Sequence, residues 1–301
     1  MNPSELVAEL RKPLPKLPAY LLYDARGGQL FDEITTLDEY YQTRTEIALL
    51  ESVAPAVLQQ VQPRRLAELG SGSAAKIGAF LGRMQPGTCQ LLDVNADALQ
   101  GSIARLSEEF SGWDFRAEIG SFVGGADALG VGGGPRLVLF FGGTIGNFHP
   151  TEVPGFLRDL GRIMEPGDGL LIGVDRVKDV ARLEAAYNDA RGVTAAFNKN
   201  VLAVLNHSYG ANFDLSRWAH RAVWDAEQSW MHLTLRSEVD QEVRLGDAVL
   251  RFAEGAEIST EISCKYTEQS FGARVDEAGM RLVRWDTDPD GLFALALVQG
   301  A

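Results

Sequence analysis

The chain has 301 residues, 46% hydrophobic and 23% charged, enough to bury a sizeable core in one large domain or two. Its 28 Lys and Arg against 41 Asp and Glu leave a formal net charge of −13, and it has no basic stripe with interleaved aromatics, so nucleic acid is excluded as an expected partner. Two cysteines and four histidines without ligand spacing exclude a disulfide framework and a zinc cluster, and no metal is expected.

Residues 1–24 carry acids and prolines where a secretion signal needs an apolar core, and no apolar run approaches the roughly 18 residues of a membrane span. A cytoplasmic protein without membrane contact is expected, with a monomer as the working expectation. Residues 1–50 are rich in aromatic and acidic residues ("YDARGGQLFDEITTLDEYYQTRTE") and show no strand–helix alternation.

From residue 64 the pattern changes. A strand is predicted over 64–70 ("RRLAELG"), a helix over 74–84, a strand over 89–95, a helix over 96–110 and a strand over 114–122. The glycine-rich stretch 124–135 reads as a flexible connector, followed by a strand over 136–142. A helix over 151–164 is expected to be capped by Thr151 with Pro154 in its first turn, and a strand follows over 169–177. This order predicts an α/β fold around a mostly parallel, doubly wound sheet. Residues 178–262 hold a long helical run and then strand-like alternation, and with the N-terminal segment they form a second, α+β substrate-binding unit. The end of the chain reads as a helix and an antiparallel hairpin on the sheet edge, turned at "DTDPDG". The expected division is 45–177 with 266–301 for the first domain, and 1–44 with 178–265 for the second.

In "AELGSGSAAKIGAF" the glycines Gly70 and Gly72 follow a strand, and Asp93 stands 23 residues after Gly70, where an acid accepts hydrogen bonds from ribose hydroxyls. That pair serves NAD and S-adenosylmethionine equally. Glu68 separates them, because a carboxylate there attracts an ammonium and a sulfonium but repels a pyrophosphate. S-adenosylmethionine is therefore the expected methyl donor, with Lys76 either on its carboxylate or capping the next helix from outside.

The strings "YDARGGQLFDEI", "EYYQTRTE", "ELGSGS", "GGTIGNF", "AAYNDARGVTAAFNKNVL", "NFDL", "TEISCKY" and "RWDTDPDG" together resemble the L-histidine Nα-methyltransferase family, from about Leu17 to the C-terminus. The resemblance implies a Rossmann-like class I methyltransferase domain and a separate substrate domain. It implies trimethylation of L-histidine to hercynine for ergothioneine biosynthesis. Carried over by motif, Gly70, Lys76, Asp93 and Gly142 would contact S-adenosylmethionine, with Ser121 and Phe122 flanking the adenine. Asn147, Tyr40 and Tyr187 would hold the amino acid's carboxylate, and Tyr23 would lie by the reacting amine. Glu261 and Ser263 would read the imidazole, with Thr194, Phe197 and Phe31 completing the pocket. A neutral imidazole offers one donor and one acceptor, which a carboxylate and a hydroxyl two residues apart on a strand can both satisfy.

The chain departs from the family pattern at Ser121, where an Asp is usual, at Asp38 and Gln42, where prolines are usual, and at Leu233, where a Met is expected. Competing readings are a relative acting on another aromatic amino acid such as tryptophan, a non-catalytic binder, and an NAD-dependent dehydrogenase. Turnover separates the binder, and affinity for S-adenosylhomocysteine over NAD separates the dehydrogenase.

Overall fold

A computed structural model of the protein describes residues 2–124, 126–130 and 132–300. The helices are α1 (Pro3–Leu10), α2 (Ala25–Thr35), α3 (Gln42–Val61), α4 (Gly78–Leu81), α5 (Ala96–Glu109), α6 (Val153–Arg162), α7 (Val180–Tyr187), α8 (Val193–Tyr209) and α9 (Glu268–Glu277). The strands are β1 (Arg65–Leu69), β2 (Thr88–Asp93), β3 (Asp114–Ile119), β4 (Arg136–Phe140), β5 (Gly169–Asp175), β6 (Trp218–Asp225), β7 (Trp230–Ser237), β8 (Gln241–Leu245), β9 (Ala248–Phe252), β10 (Glu257–Cys264), β11 (Met280–Thr287) and β12 (Phe293–Gly300). The chain divides into two compact units, one of residues 1–41 and 178–263, the other of residues 42–177 and 264–301.

The second unit is built on a seven-stranded sheet in the order β11-β12-β5-β4-β1-β2-β3. β3, β2, β1, β4 and β5 pair in parallel, while β12 is antiparallel to both β5 and β11. The terminal hairpin thus lies on the sheet edge as expected, its last strand β12 paired with β5 and β11 outermost. The run "FALALV" explains why β12 is the inner strand of the hairpin, since Phe293–Val298 are all fully buried and an apolar run of that kind needs cover on both sides. Arg136 starts β4 with its guanidinium at 0% exposure, donating to the Leu129, Gly130 and Ile163 carbonyls and paired with Asp168.

Two local predictions fail for physical reasons. Only Gly78–Leu81 of the stretch 74–84 is helical. Glycines at 78 and 82 weaken the helix and Ala74 sits at φ +47°, outside helical backbone. At α6 the N-cap is Glu152 without a side-chain cap, because the Thr151 hydroxyl lies 2.7 Å from His149 Nδ1 instead. In the connector at 124–135, Ala126–Leu129 form a turn of 3-10 helix, while Gly125 and Val131 lie outside the described residues.

The first unit has its own core, in which Leu6, Leu30, Phe197, Leu205, Trp218 and Leu235 are among the buried residues. Its sheets are β10-β7-β6 and the β8-β9 hairpin. No helix among the described residues is long and apolar enough to cross a membrane.

Candidate active site

In the second unit, β1 has β2 on one side and β4 on the other, so the strand order reverses at its carboxyl end, where ligands of such sheets bind. Gly70 turns the chain there at φ +65°, its N–H donating to the Leu92 carbonyl at 2.8 Å. A Cβ at this position would be strained by that φ and would stand 3.3 Å from the Phe122 ring. Asp93 ties the turn to the end of β2, accepting from the Gly72 N–H at 2.8 Å and the Asn95 N–H at 2.9 Å. A carboxylate has about four acceptor positions, so these two bonds leave capacity for sugar hydroxyls.

Beneath the turn the electrostatics differ from the sequence expectation. Glu68 is 3% exposed and its Oε2 has no hydrogen-bond partner. Burial pushes its carboxyl up to about 8, against the pull of Lys76 and with the added repulsion of Glu46 and Asp93. Glu68 is thus mainly protonated at neutral pH, rather than the standing negative charge the sequence suggested. Lys76, expected either on the cofactor or as a helix cap, pairs at 2.6 Å with Glu46, whose side chain is 1% exposed. Both oxygens of Glu46 also accept the Gly142 N–H, at 2.9 and 3.0 Å. The carboxylate reaches this place across Gly173, where a Cβ would stand 1.9 Å from Glu46 Oε1.

The remaining expected cofactor residues occupy the same ends of the strands. Ser121 is exposed and its hydroxyl accepts the Val123 N–H. Phe122 follows it, its ring centroid 5.2 Å from Phe140 and 6.2 Å from Phe156. Asn147, expected on the acceptor's carboxylate, closes the 3-10 turn Thr144–Asn147 beyond β4.

In the first unit, the other expected residues form one chain of ring contacts. Tyr23 lies 5.3 Å from Phe197 and 5.7 Å from Phe31, Phe31 lies 6.3 Å from Tyr40, and Tyr40 lies 6.4 Å from Tyr187. Local chemistry fixes the members. Tyr23 precedes Asp24, the N-cap of α2, whose Oδ1 accepts from Gly27 N–H at 2.8 Å and from Asn200 of α8 at 2.7 Å. Phe197 and Thr194 lie on the first turns of α8, where Asp189 accepts the N–H groups of Val193 and Thr194. The Tyr187 hydroxyl donates to Ser263 Oγ at 2.9 Å.

Glu261 faces Tyr23 electrostatically. The Tyr23 hydroxyl is held well above the ordinary phenol range, first by loss of water around it and then by the negative charge of Glu261, with Tyr187 opposing a second phenolate. The residue as a whole is 39% exposed. Among the described residues, no group of three or more His, Cys, Asp and Glu side chains is arranged to hold a metal ion.

The family described as "Histidine-specific methyltransferase, SAM-dependent" matches residues 3–300. The chain belongs to this family. It is 42% identical over 291 residues to a histidine N-alpha-methyltransferase of Mycolicibacterium smegmatis, covering 93% of this chain and 89% of that one. It is 39% identical over 299 residues to a histidine N-alpha-methyltransferase of Mycobacterium tuberculosis, covering 97% and 93%. An S-adenosylmethionine-dependent methyltransferase from Clostridium acetobutylicum shares the fold at TM-score 0.51 and 9% identity, over 91% of this chain and 99% of that one. The protein is an S-adenosylmethionine-dependent methyltransferase with the Rossmann-like α/β fold expected from its sequence.

The methyltransferase also contains polar residues that sequence reading passed over. Glu46 carried a usable signal: in α3 it falls on the stripe formed by Leu49, Leu50, Val53 and Val57, and an acid on a buried stripe needs a partner. His220 and Asn198 carried none, since a lone histidine in a strand and an asparagine in a helix are unremarkable until the partners are known.

Proposed function

We propose that this methyltransferase transfers three methyl groups in succession from S-adenosylmethionine to the α-amine of L-histidine, giving hercynine. The observation that carries the reading is a polar edge, Glu261 and the Tyr187–Ser263 hydroxyl pair, set beside the linked rings of Tyr23, Phe31, Tyr40 and Phe197. Aromatic walls alone suit any aromatic amino acid, whereas a carboxylate and hydroxyls suit the donor and acceptor of an imidazole.

The residues of the second unit fit the donor. The left-handed Gly70 turn admits close backbone approach, Asp93 has acceptor capacity, and the unpartnered Glu68 Oε2 suits a cationic ligand. Gly72, Lys76, Ser121, Phe122 and Gly142 complete this set, the donor supplying an electrophilic methyl group when bound. Asn147 is assigned, with Tyr40, to the acceptor's carboxylate, and Thr194 to the pocket beside Phe197; Tyr187, expected on the carboxylate as well, is assigned to the imidazole edge because its hydroxyl donates to Ser263. Fixing the two ends of the amino acid aims its amine, and positioning within about 3–3.5 Å supplies most of the acceleration. Tyr23 orients the amine, whose proton passes to water before each transfer. A quaternary product has no proton left to lose, so the sequence stops at three.

The test is incubation with S-adenosylmethionine and each common amino acid, reading products about 14, 28 and 42 mass units heavier, one to three methyl groups added by in-line transfer. Methylated histidine is expected. Methylation of another aromatic amino acid in its place overturns the assignment.

A further inference from the structure

The Tyr187–Ser263 pair ends a hydrogen-bond chain whose other members have no part in the reading above. Half-buried His220 on β6 has its Nε2 2.8 Å from the Tyr187 carbonyl oxygen and its Nδ1 2.9 Å from Asn198 Nδ2. The same Asn198 nitrogen donates to the Thr234 carbonyl at 3.1 Å. A carbonyl oxygen only accepts, so the Asn198 atom is its NH2 group and His220 Nδ1 must accept from it. The Tyr187 carbonyl likewise requires the proton on Nε2. These partners admit one form of His220, the neutral Nε2–H tautomer, and a second proton would set an N–H against the Asn198 NH2.

The bond to Tyr187 also has a clear structural task. Tyr187 is the last residue of α7, and the final carbonyls of a helix lack partners within it. His220 supplies one donor, and Asn188 fastens the same end of α7 to β6 by donating to the Ala222 carbonyl at 2.9 Å. Burial holds the ring below the ordinary histidine range, against the pull of the Tyr187 carbonyl and of Asp189 between α7 and α8, while Lys199 of α8 reinforces the shift.

We infer that His220 is a positioning residue of the acceptor site: as a neutral imidazole it ties the end of α7 to β6 and thereby holds the Tyr187 hydroxyl on Ser263. The inference rests on the assignment of Tyr187 and Ser263 to acceptor binding.

Steady-state kinetics of the full-length wild type and the Tyr187→Phe, His220→Ala and His220→Gln variants test it. His220→Ala is expected to raise KM for L-histidine about three- to tenfold, the scale of one hydrogen bond, and to leave KM for S-adenosylmethionine unmoved. Glutamine can both donate to the Tyr187 carbonyl and accept from Asn198, so His220→Gln should recover most of the loss. Between about pH 7 and 5 the wild-type KM should rise relative to that of His220→Gln; titration of the substrate imidazole is common to both and cancels in the ratio. If Tyr187→Phe leaves KM for histidine unchanged, the acceptor assignment and this inference fall together. A raised KM in Tyr187→Phe with an unchanged one in His220→Ala overturns this inference alone. If His220→Ala does not fold, the pH ratio decides, and a flat ratio refutes the inference.

Discussion

Replacing Glu68 with glutamine tests the electrostatics beneath the glycine turn. The folded protein keeps the Glu68 proton to about pH 8, whereas the unfolded chain releases it near the ordinary 4.5. Above pH 4.5 the folded state therefore holds more protons than the unfolded one, so stability falls as pH rises and levels off above about 8. At pH 7 the gap is 7 − 4.5 = 2.5 units, at about 1.4 kcal/mol each a penalty of roughly 3 kcal/mol. Glutamine has no proton to lose, and the penalty vanishes. Exchanging the unpartnered Oε2 for an NH2 adds a constant on the order of 1 kcal/mol that does not vary with pH. Thermal unfolding midpoints of both proteins should diverge in favour of the variant from about pH 5 to a plateau near 8, the window between the two titrations. Parallel curves would refute the protonated Glu68. Under the proposed donor site, S-adenosylmethionine binding at pH 7 also releases a proton from the wild type. Calorimetry in buffers of different ionisation enthalpy should detect that proton in the wild type and not in Glu68→Gln.

Glu261→Ala should lower kcat/KM for histidine by the worth of a charged hydrogen bond, about 1.5–3 kcal/mol, and an unchanged value removes Glu261 from the acceptor site. Gly173→Ala puts a Cβ 1.9 Å from Glu46 Oε1 and 3.2 Å from the Phe293 ring, an overpacking cost of about 1–3 kcal/mol. Its melting midpoint should fall and its affinity for S-adenosylhomocysteine weaken as Glu46 leaves Gly142 and Lys76; wild-type values for both would show that Glu46 moves freely. Arg136→Ala leaves a fully buried Asp168 side chain with two backbone N–H donors but no cation and should cost about 3–5 kcal/mol in urea unfolding, with a loss under about 1 kcal/mol arguing against the buried pair.

The parallel sheet was legible because its strands are short apolar runs spaced by amphipathic helices, and β1, β2, β4 and β5 begin within a residue of their predicted starts. The helix after the glycine turn was misread because apolar periodicity over 74–84 outweighed two glycines whose positions only the folded turn explains. The edge hairpin was legible too, but that β12 is its inner strand depended on strand pairing, which the run "FALALV" signals only as burial. In the site, glycine spacing and Asp93 were visible locally. The pairing of Lys76 with Glu46, which leaves Glu68 without a cation of its own, joins residues 30 positions apart in the sequence and became visible only after folding.

Tyr23 illustrates how the fold narrows a role that residue type leaves open. Under the proposed function Tyr23 stands beside the reacting amine, where a tyrosine can act as a base through its phenolate or orient the amine as a neutral hydroxyl. Loss of water around the hydroxyl, with the negative charge of Glu261 beside it, holds the Tyr23 proton well above the ordinary phenol range. Its phenolate is thus scarcer at neutral pH than that of a free tyrosine, which disfavours proton abstraction and leaves orientation. A group that only orients changes the rate without supplying a titration. Tyr23→Phe should therefore lower kcat by about tenfold, the worth of one positioning hydrogen bond, while the pH–rate profile keeps its shape. Loss of an alkaline limb in the variant would show that the wild-type phenol ionises during turnover and would restore the base.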